Sequence, residues 1–556
     1  MRPVPTEQST PEVLIIGAGP SGLTAAVVLA AHGVAARVVD PERGPTDQSR
    51  ALVVQARTLE LWRKLGLADP AIAHGKKATG VIAYSNGTLL NDGRSLIDFA
   101  TLGAGQTPYP FLLVFEQSKT ERLLLDRLTE LGGAVDWGVH AHTVRAHDDH
   151  VEMVLRHHNP GDTTTEETVT PHWVIGADGA SSIVRHTLNL GFDGGSYEQA
   201  FFLSDVAVTW PHTGDHLGLA LTDSGTFLFV PMPTDPGAPP RYRVLGSLTP
   251  DMAARQQLDI TDVQRAIDQH SGVRATVSDA KWVSLYRLHH RMAQRFSVGK
   301  VFLIGDAAHI HSPVGGQGMN TGIQDAYNLA WKLALVIRGD AQAPLLDSYA
   351  AERMPVARAL LKGTDNAFNV MVSDRTAVRW GRRVAARLLP FALRHLTATT
   401  RRVFATLSQI AITYALSPTR AGTAITGARP GDRAPHAELR TGCRAGTSVL
   451  SLLDGPDHHL LLLDQTGTPS EPSDRFGAII NDFAPAIHIH HIDPRETQVH
   501  DAYDINAPTA VLIRPDGYIA WRGAASDADG LRKYLATWYT PSATARTPKA
   551  AASPNL

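Results

Sequence analysis

Two glycine-rich segments of the chain combine residue types that bind phosphate groups and hydroxyl groups. The first is Val13-Leu-Ile-Ile-Gly-Ala-Gly-Pro-Ser-Gly22, and the second is Val301-Phe-Leu-Ile-Gly-Asp306, followed by Pro313-Val-Gly-Gly-Gln-Gly-Met-Asn320. Glycines let a backbone approach a pyrophosphate closely, and a carboxylate at the end of a strand accepts hydrogen bonds from hydroxyl groups. Together the two segments predict one extended dinucleotide that is bound at both of its ends.

The elements around the first segment are typical of a dinucleotide-binding unit. Val13 to Ile16 predict a buried parallel strand, Pro20 to about His32 a helix, and Ala36 to Val39 a second strand. The free amides and positive dipole end of that helix would face the phosphates. An acidic residue about 20 positions beyond the glycines accepts hydrogen bonds from the ribose hydroxyls. The predicted contacts are Gly17, Gly19, Pro20, Ser21, Gly22 and Asp40, and this pattern does not distinguish NAD from FAD.

The second segment has the features of the flavin end. Val301 to Ile304 predict a buried strand with Asp306 at its carboxyl end, where open α/β sheets bind ligands. A carboxylate there suits a polyol such as the flavin ribityl chain. A helix from about Met319 to Ile337 would direct its first amides at whatever lies in front of it. The predicted cofactor contacts in this segment are Asp306, Pro313, Gly316, Gly318, Met319 and Asn320.

With a third motif between these segments, the chain resembles the flavoprotein aromatic hydroxylases, which are single-component FAD-dependent monooxygenases. The resemblance rests on GAGPSG, on GADG at 176–179 with Arg185 downstream, and on GDAAH leading into PVGGQGMNTGIQDAYNLAWKL. It is strongest for larger members that act on phenylpropionates, chlorophenols, polyketide antibiotics and rifamycins. It implies non-covalent FAD, contacted also by Arg50 and Gln117, with Asp178 and Arg185 near the junction of FAD and a transient nicotinamide cofactor.

The resemblance also implies a reaction. NADPH or NADH would reduce FAD, molecular oxygen would form a flavin hydroperoxide, and one oxygen atom would pass to a phenolic or polyketide-type aromatic substrate. Baeyer–Villiger oxidation or epoxidation remains an alternative, as does a non-catalytic binding protein on a nucleotide-binding fold. The catalytic base is unknown. Candidates in the segments assigned to the cavity are Tyr109, His216, Tyr242 and Arg243, each of which is also explained as a structural residue.

The fold class expected is α/β, with a Rossmann-like FAD-binding domain interleaved with an antiparallel-sheet substrate domain. The strands predicted in the substrate domain are 201–209, 227–231 and 241–248, and the hairpin signal Asp516-Gly517 follows a strand at 509–513. The predicted domains are an FAD-binding domain at 1–82, 112–190 and 285–365, a substrate domain at 83–111 and 191–284, a helical segment at 366–420, a thioredoxin-like domain without CxxC at 421–540, and a flexible tail at 541–556.

Composition limits the other classes of function. A net charge of −2 gives no reason to expect nucleic acid or a membrane surface as a partner, and no apolar stretch approaches the ~18 residues that span a bilayer. The polar N-terminus does not resemble a signal peptide, so a cytoplasmic protein is expected. The single cysteine, Cys443, excludes an intrachain disulfide, and His488, His490 and His491 lack the further ligands that a metal site needs. The C-terminal domain is expected to be structural or to form the interface of a homodimer.

Overall fold

The structure is a computed structural model, and it describes most of the chain as two compact units. The first unit comprises Met1–Ala26, Ala36–Ala326 and Met354–Ala411, and the second comprises Val27–Ala35, Tyr327–Arg353 and Ile412–Leu556. Arg50, Pro313 and Cys443 lie outside the described residues. The described ranges are 11–47, 51–158, 164–212, 214–223, 225–235, 237–255, 257–311, 315–372, 397–415, 428–441, 444–463 and 470–542.

The strands and helices are numbered here in chain order. The strands are β1 Val13–Ile16, β2 Ala36–Asp40, β3 Val53–Val54, β4 Lys76–Ala78, β5 Gly80–Ser85, β6 Thr88–Leu89, β7 Ile97–Asp98, β8 Leu112–Val114, β9 Val135–Trp137, β10 Val139–Ala146, β11 Val151–His158, β12 Thr164–Val169, β13 Trp173–Gly176, β14 Phe192–Thr209, β15 His216–Leu221, β16 Thr226–Pro231, β17 Arg241–Ser247, β18 Thr276–Ala293, β19 Ser297–Val298, β20 Val301–Leu303, β21 His309–Ile310, β22 His458–Leu463, β23 Ile487–Ile492, β24 Thr509–Ile513 and β25 Ile519–Ala524. The helices are α1 Pro20–Ala31, α2 Ala56–Lys64, α3 Ala68–His74, α4 Phe99–Gly103, α5 Gln117–Glu130, α6 Ile183–Thr187, α7 Pro250–Ala253, α8 Ile260–Ala266, α9 Gly318–Ile337, α10 Asp347–Val372, α11 Thr397–Leu407, α12 Ser470–Asn481, α13 Thr497–Tyr503 and α14 Ala528–Trp538.

A six-stranded sheet forms the cofactor half of the first unit. Its strand order is β19-β20-β13-β1-β2-β9, and every neighbouring pair is parallel except β19 with β20. The strands β1, β13 and β20 carry the three sequence motifs at their carboxyl ends. Because parallel strands end at the same edge of a sheet, the three motifs emerge side by side.

A nine-stranded, mostly antiparallel sheet forms the other half of the first unit. Its order is β21-β18-β14-β17-β16-β15-β5-β6, with β7 also paired to β5, and only β15 and β5 are parallel. One face is fully buried, because residues of β14, β16 and β17 pack with residues of α7 and α8 in a single core cluster. Side chains alternate between the two faces of a strand, so the residues between these core positions lie on the opposite face.

The second unit contains a four-stranded sheet of order β23-β22-β24-β25. The β22–β23 pair is parallel, whereas β22–β24 and β24–β25 are antiparallel. Its core consists of apolar side chains from these strands, from α13 and from the segment 434–453. The predicted hairpin at Asp516-Gly517 is confirmed, since β24 and β25 pair directly across it with Ile513 opposite Ile519.

Five polar side chains of the second unit form a buried cluster of charges. Lys332 Nζ lies 2.9 Å from Glu352 Oε2, and Arg514 binds Glu352 through two bonds of 2.6 and 2.9 Å. Asp516 accepts from Arg514, and Asn328 donates to Glu352 over 2.7 Å. Burial lowers the pKa of Lys332 to about 8. Burial alone would raise the pKa of Glu352, but the charges of Arg514 and Lys332 lower it to about 2.

The predicted elements are confirmed with small shifts at their ends. The strands at 13–16 and 509–513 have the predicted bounds, and the helix expected from Met319 begins one residue earlier, at Gly318. The strand predicted at 201–209 is the second half of a longer strand, Phe192–Thr209, because a register shift between Ser196 and Ala200 lets the pairing with β18 continue. The helical segment predicted at 366–420 is described only in part, where α10 and α11 fall.

No helix in the part of the chain that the structure describes has both the length and the apolar character needed to cross a membrane. Within the same residues, no three His, Cys, Asp or Glu side chains are arranged to hold a metal ion. The histidines of β23 instead contact neighbouring side chains: His490 Nε2 lies 3.0 Å from His459 Nδ1, and His488 Nε2 lies 2.8 Å from Asp457 Oδ2.

Candidate cofactor and substrate sites

The first glycine turn allows α1 to begin directly against β1 and β13. Gly17 has a φ of 105°, and a Cβ there would lie 2.4 Å from the carbonyl oxygen of Ala177. A Cβ on Gly22 would lie 1.9 Å from the carbonyl oxygen of Gly17. A Cβ on Gly19 would meet no protein atom within 4 Å. Protein packing therefore explains Gly17 and Gly22 but not Gly19, and a pyrophosphate at the free amides of α1 fits this turn.

Asp40 lies beside this turn at the end of β2. Its Oδ2 accepts a hydrogen bond of 2.6 Å from the amide of Ala18, and its Oδ1 accepts one of 2.8 Å from the amide of Glu42. These two bonds fix the orientation of the carboxylate. Since an ionised carboxylate can accept about four hydrogen bonds, Asp40 retains acceptor capacity for ribose hydroxyls.

The two glycine-rich segments meet in the structure at Ser21. A Cβ added to Gly305 would lie 2.5 Å from Ser21 Oγ, and a Cβ added to Gly322 would lie 2.4 Å from the same atom. The Cβ position of Gly322 is also only 3.1 Å from the Cα of Gly305. Thus the turn after β20 and the first half of α9 approach each other closely, and both pack against the Ser21 side chain of α1. This contact places both halves of the predicted dinucleotide site in one region.

Asp178 of the middle motif presents an unsatisfied oxygen in the same region. The amide of Ala177 donates to the carbonyl of Ile16 over 2.7 Å, which sets this turn beside Gly17. Asp178 Oδ2 accepts from the amide of Val184 at 3.1 Å, whereas Oδ1 is buried with no partner among the described residues. Burial raises the pKa of this carboxyl group. A buried acceptor without a partner fits a ligand that supplies hydroxyl or amide donors, as FAD does.

Arg185 is committed to contacts inside the protein. Its side chain is 1% exposed, and it donates to the carbonyls of Ala307 over 2.9 Å and Ala180 over 2.8 Å. The guanidinium also lies over the ring of Phe192, 3.8 Å from its centre. Arg185 therefore joins the middle motif to the turn that carries Asp306. The resemblance suggested a location near the nicotinamide cofactor, but these bonds direct the side chain to backbone carbonyls.

Asn320 holds the glycine-rich loop of the second segment by four hydrogen bonds. Its Oδ1 accepts from the amide of Gln55 at 2.8 Å and from Thr58 Oγ1 at 2.7 Å. Its Nδ2 donates to the carbonyls of Val53 and Gly316 at 2.8 and 2.9 Å. Because the carboxamide is saturated, Asn320 can serve a flavin through its backbone and through the shape of the loop. Gly318 and Met319 lie at the start of α9, where the amides lack intrahelical acceptors.

Gln117 supports the chain next to Arg50. Its Oε1 accepts from the amide of Ala51 at 3.2 Å, and its Nε2 donates to Glu121 Oε1 at 3.0 Å. Burial raises the pKa of Glu121, which also accepts from the amide of Thr46. Gln117 thus fixes the backbone at Ala51, while Arg50 and Pro313 lie outside the described residues.

Asp306 is exposed on a short turn between the two sheets of the first unit. The turn is a 3-10 helix at Gly305–Ala307 that connects β20 of the six-stranded sheet to β21 of the nine-stranded sheet. Its neighbour His309 is buried and pairs with Asp325, a residue that the sequence analysis did not select. The feature of the sequence that could have identified Asp325 is an acidic residue within the largely apolar helix α9.

The four candidates for a catalytic base lie in different surroundings. Tyr242 is in the core on the helix-covered face of the nine-stranded sheet, where its ring packs edge-on against Trp210. Tyr109 is buried against Phe111. His216 is half-buried at the start of β15, and Arg243 is buried in an ion pair. The structure does not bring these four side chains together, and no base is assigned from them.

The face of the nine-stranded sheet that is opposite the core carries a half-buried apolar row. Leu203 of β14 is opposite Leu245 of β17, Leu245 is opposite Leu228 of β16, and Leu228 is opposite Leu219 of β15. All four leucines are only half-buried, whereas Phe202 and Phe227 on the other face are fully buried. This leucine row is therefore an apolar strip that runs across four strands.

A polar cluster lies two residues along the same face. Arg243 donates to Asp205 through two bonds of 2.7 Å, and Trp282 Nε1 donates to Asp205 Oδ2 at 3.2 Å. The Arg243 guanidinium also lies over the Trp282 ring. The pair is neutral overall and Arg243 donates both of its hydrogen bonds to Asp205, so neither buried charge is left unpaired.

Comparisons with known proteins agree with this geometry. A family model described as an FAD binding domain matches residues 10–364, which is more than half of the chain. A second model, described as aromatic-ring hydroxylase, C-terminal, matches residues 427–542. The first match includes all three motifs that meet around Ser21.

Individual relatives align along nearly the whole chain. The sequence is 37% identical to a 6-methylpretetramide 4-monooxygenase of Streptomyces rimosus, covering 96% of this chain and 94% of that protein. The fold is similar to that of an anhydrotetracycline hydroxylase from Streptomyces rimosus, with a TM-score of 0.73, 28% identity and coverage of 96% and 99%. It is also similar to aklavinone-11 hydroxylase solved with FAD and aklavinone, with a TM-score of 0.73, 26% identity and coverage of 95% and 99%. The chain therefore belongs to the family of FAD-dependent aromatic-ring hydroxylases, which are monooxygenases.

Proposed function

We propose that this protein hydroxylates a large phenolic substrate of the aromatic-polyketide type, with NADPH or NADH as the electron donor. The observation that carries the proposal is the leucine row, which offers an apolar strip across four strands within the same unit as the cofactor motifs. The named activities of the relatives, which include hydroxylation of anhydrotetracycline and of aklavinone, support the same substrate class.

The residues proposed to hold FAD follow the convergence around Ser21. The amides after Gly17 and Gly19 would bind the diphosphate, Asp40 the ribose, and Asp306 the ribityl chain. Asp178 Oδ1 would accept a hydrogen bond from the cofactor. The start of α9 would direct its amides at the pyrimidine end of the ring, where negative charge on the reduced cofactor is stabilised by about 0.3–1 kcal/mol. When bound and reduced, FAD would supply the electrons that activate molecular oxygen, of which one atom enters the substrate and the other leaves as water.

The dimensions of the leucine row favour several fused rings over a single ring. Neighbouring strands of a sheet lie about 4.7–4.9 Å apart, so four leucines on four strands extend over roughly 14 Å. A single phenol would cover a small part of that length and would leave the rest of the leucine row exposed to water. A polycyclic substrate lying flat on the row would displace that water, which is the main source of its binding energy. The same contact would exclude water from the reacting carbon.

The domain organisation proposed from the sequence stays part of this proposal. The six-stranded sheet supports an FAD-binding domain built from 1–82, 112–190 and 285–365, and the nine-stranded sheet supports a substrate domain interleaved with it. For the C-terminal region, the order β23-β22-β24-β25 with one parallel and two antiparallel pairs supports a thioredoxin-like domain. Without a CxxC motif, its role would be structural or in contact with a second subunit.

The experiment compares polycyclic and monocyclic phenols with the purified holoenzyme. NADPH and NADH oxidation would be measured together with the product formed under isotopically labelled oxygen. We expect tight coupling and one labelled oxygen on a ring carbon for polycyclic phenols only. Tight coupling with a monocyclic phenol would contradict the assignment of the substrate class, and a product with an opened ring or an epoxide would contradict the reaction type.

A pair of variants tests the leucine row itself. Leu228→Asn would place an amide against the apolar substrate, and we expect KM to rise about tenfold, which corresponds to ~1.4 kcal/mol. Leu228→Met conserves volume and should change KM little. Tyr242→Phe serves as the matched control on the opposite face, because its ring belongs to the helix-covered core. Equal effects of Leu228→Asn and Tyr242→Phe would refute the substrate-facing role of the row.

A further inference from the structure

One carboxylate oxygen of α9 closes the turn that carries Asp306. Asp325 is fully buried, and its Oδ2 accepts from the amide of Gly305 at 3.3 Å. The same oxygen lies 2.6 Å from Nε2 of His309, which is 2% exposed. Gly305 is the first residue of this turn, and His309 is the first residue of β21, which follows the turn. Asp325 thus ties both ends of the segment from Gly305 to His309 to the helix whose N-terminus lies in the glycine-rich loop.

The residues between these ends are also held from outside the turn. Arg185 donates to the carbonyl of Ala307, and the amide of Ala293 donates to the carbonyl of Ala308 at 2.7 Å. The ring of His309 stacks on Phe296, with 5.7 Å between ring centres and an angle of 25°. The turn is therefore braced along its length while the Asp306 side chain is exposed.

Stability alone does not explain a buried carboxylate at this point. Burying the acid costs free energy that its hydrogen bonds only offset, and an apolar pair of similar volume would serve the fold about as well. An apolar pair would not, however, fix the amide of Gly305 and the ring of His309 at one atom. What Asp325 and His309 add is the geometry of the turn.

We propose that Asp325 and His309 are positioning residues for the flavin, because they hold the Asp306 carboxylate at the ribityl chain. This inference rests on the proposed role of Asp306 in binding FAD. Neither residue touches the cofactor in this account. They act through the segment from Gly305 to His309. A change in the hydrogen bonds that Asp325 accepts would shift this segment and the Asp306 carboxylate with it.

The test is the affinity of the apoprotein for FAD, measured by quenching of flavin fluorescence. His309→Leu removes the donor to Asp325, and we expect it to raise the Kd for FAD at least tenfold. His309→Gln retains an N–H group near the position of Nε2 and should bring the Kd back to within about threefold of the original value. Visible circular dichroism of the bound flavin reports the same change without any turnover.

Two comparison variants separate this inference from its premises. Asp306→Asn tests the proposed cofactor contact directly and should also raise the Kd. Arg514→Met in the second unit lowers stability by an unrelated route, and it should change the unfolding temperature of the apoprotein without changing the Kd. The unfolding temperature of each apoprotein is measured beside its affinity for FAD.

Each outcome either supports or overturns the positioning role of Asp325 and His309. If Asp306→Asn weakens FAD binding but His309→Leu does not, the positioning role is overturned while the proposed site stands. If Asp306→Asn has no effect, the assigned contact fails, and the inference fails with it whatever His309→Leu does. Loss of affinity in His309→Leu without rescue by His309→Gln, in proportion to a loss of stability, assigns the pair a structural role and also overturns the inference.

Discussion

Replacement of Arg514 by methionine should destabilise the second unit strongly. Arg514 forms bidentate bonds to Glu352, at 2.6 and 2.9 Å, and two bonds to Asp516, at 3.0 and 2.5 Å. The cluster balances the cations Arg514 and Lys332 against the carboxylates Glu352 and Asp516. Without the guanidinium, two carboxylates share one ammonium group in the interior.

The expected cost follows from the burial of these groups. Arg514, Glu352 and Asp516 are each 2–3% exposed, so water cannot replace the lost donors. Removing one partner of a buried ion pair costs about 3–5 kcal/mol, since the other charge stays uncompensated. For a unit of this size, that loss corresponds to a fall in unfolding temperature on the order of 10 °C.

The assay is thermal and urea unfolding followed by far-ultraviolet circular dichroism at a fixed concentration of FAD. A double-mutant cycle with Asp516→Asn isolates the electrostatic contribution. Asp516→Asn alone should destabilise the protein, whereas in the Arg514→Met background it removes the excess carboxylate and should recover part of the loss. A loss below about 1 kcal/mol for Arg514→Met, or simple additivity in the cycle, would refute the reasoning.

Three further predictions concern Gly19, Lys332 and Arg185. Gly19→Ala should leave the unfolding temperature of the apoprotein nearly unchanged and weaken FAD binding at least tenfold. Gly22→Ala should impair folding itself, because its Cβ would lie 1.9 Å from a carbonyl oxygen. Equal losses of stability in the two variants would count against a phosphate contact at Gly19. The pKa of Lys332 is lowered from 10.5 to about 8. Between those pH values the unfolded chain binds one proton more than the folded protein, so the free energy of unfolding should rise by about 3 kcal/mol as the pH increases from 8 to 10.5. Unfolding measured as a function of pH should not show this rise in Lys332→Met. Arg185→Met should lower the unfolding temperature because it leaves two carbonyls without a donor. KM for NADPH or NADH should stay within about twofold of the original value. A large rise in that KM would instead indicate that Arg185 contacts the nicotinamide cofactor, near which the resemblance locates it.

The local elements of the cofactor half were predictable because each is encoded by adjacent residues. The apolar run Val13–Ile16, the glycines that follow it and the alanine-rich α1 specify a strand, a turn and a helix without distant partners. The same is true of the helix after the second glycine-rich segment, α9, and of the Asp516-Gly517 turn. Because the motifs follow parallel strands, their side-by-side position was also expected.

The pairing of distant polar groups could not be predicted from the sequence. Asp325 lies 16 positions from His309, and Arg514 lies 162 positions from Glu352, so no local periodicity connects the partners. Asn320 was predicted as a cofactor contact from its motif, yet its four hydrogen bonds depend on where Val53, Gln55 and Thr58 are brought by the fold. Such bonds form only when separate elements dock.

What the amino-acid sequence determined by itself is the strands and helices that carry the motifs, the glycine turns and the family to which the chain belongs. What only the tertiary structure decided is which face of each element is covered. Tyr242 and Arg243 are adjacent in β17 and necessarily point to opposite faces. The packing of α7 and α8 places Tyr242 in a closed core, whereas the leucine row on the other face is half-buried, because burial is a property of neighbours that are distant in the chain.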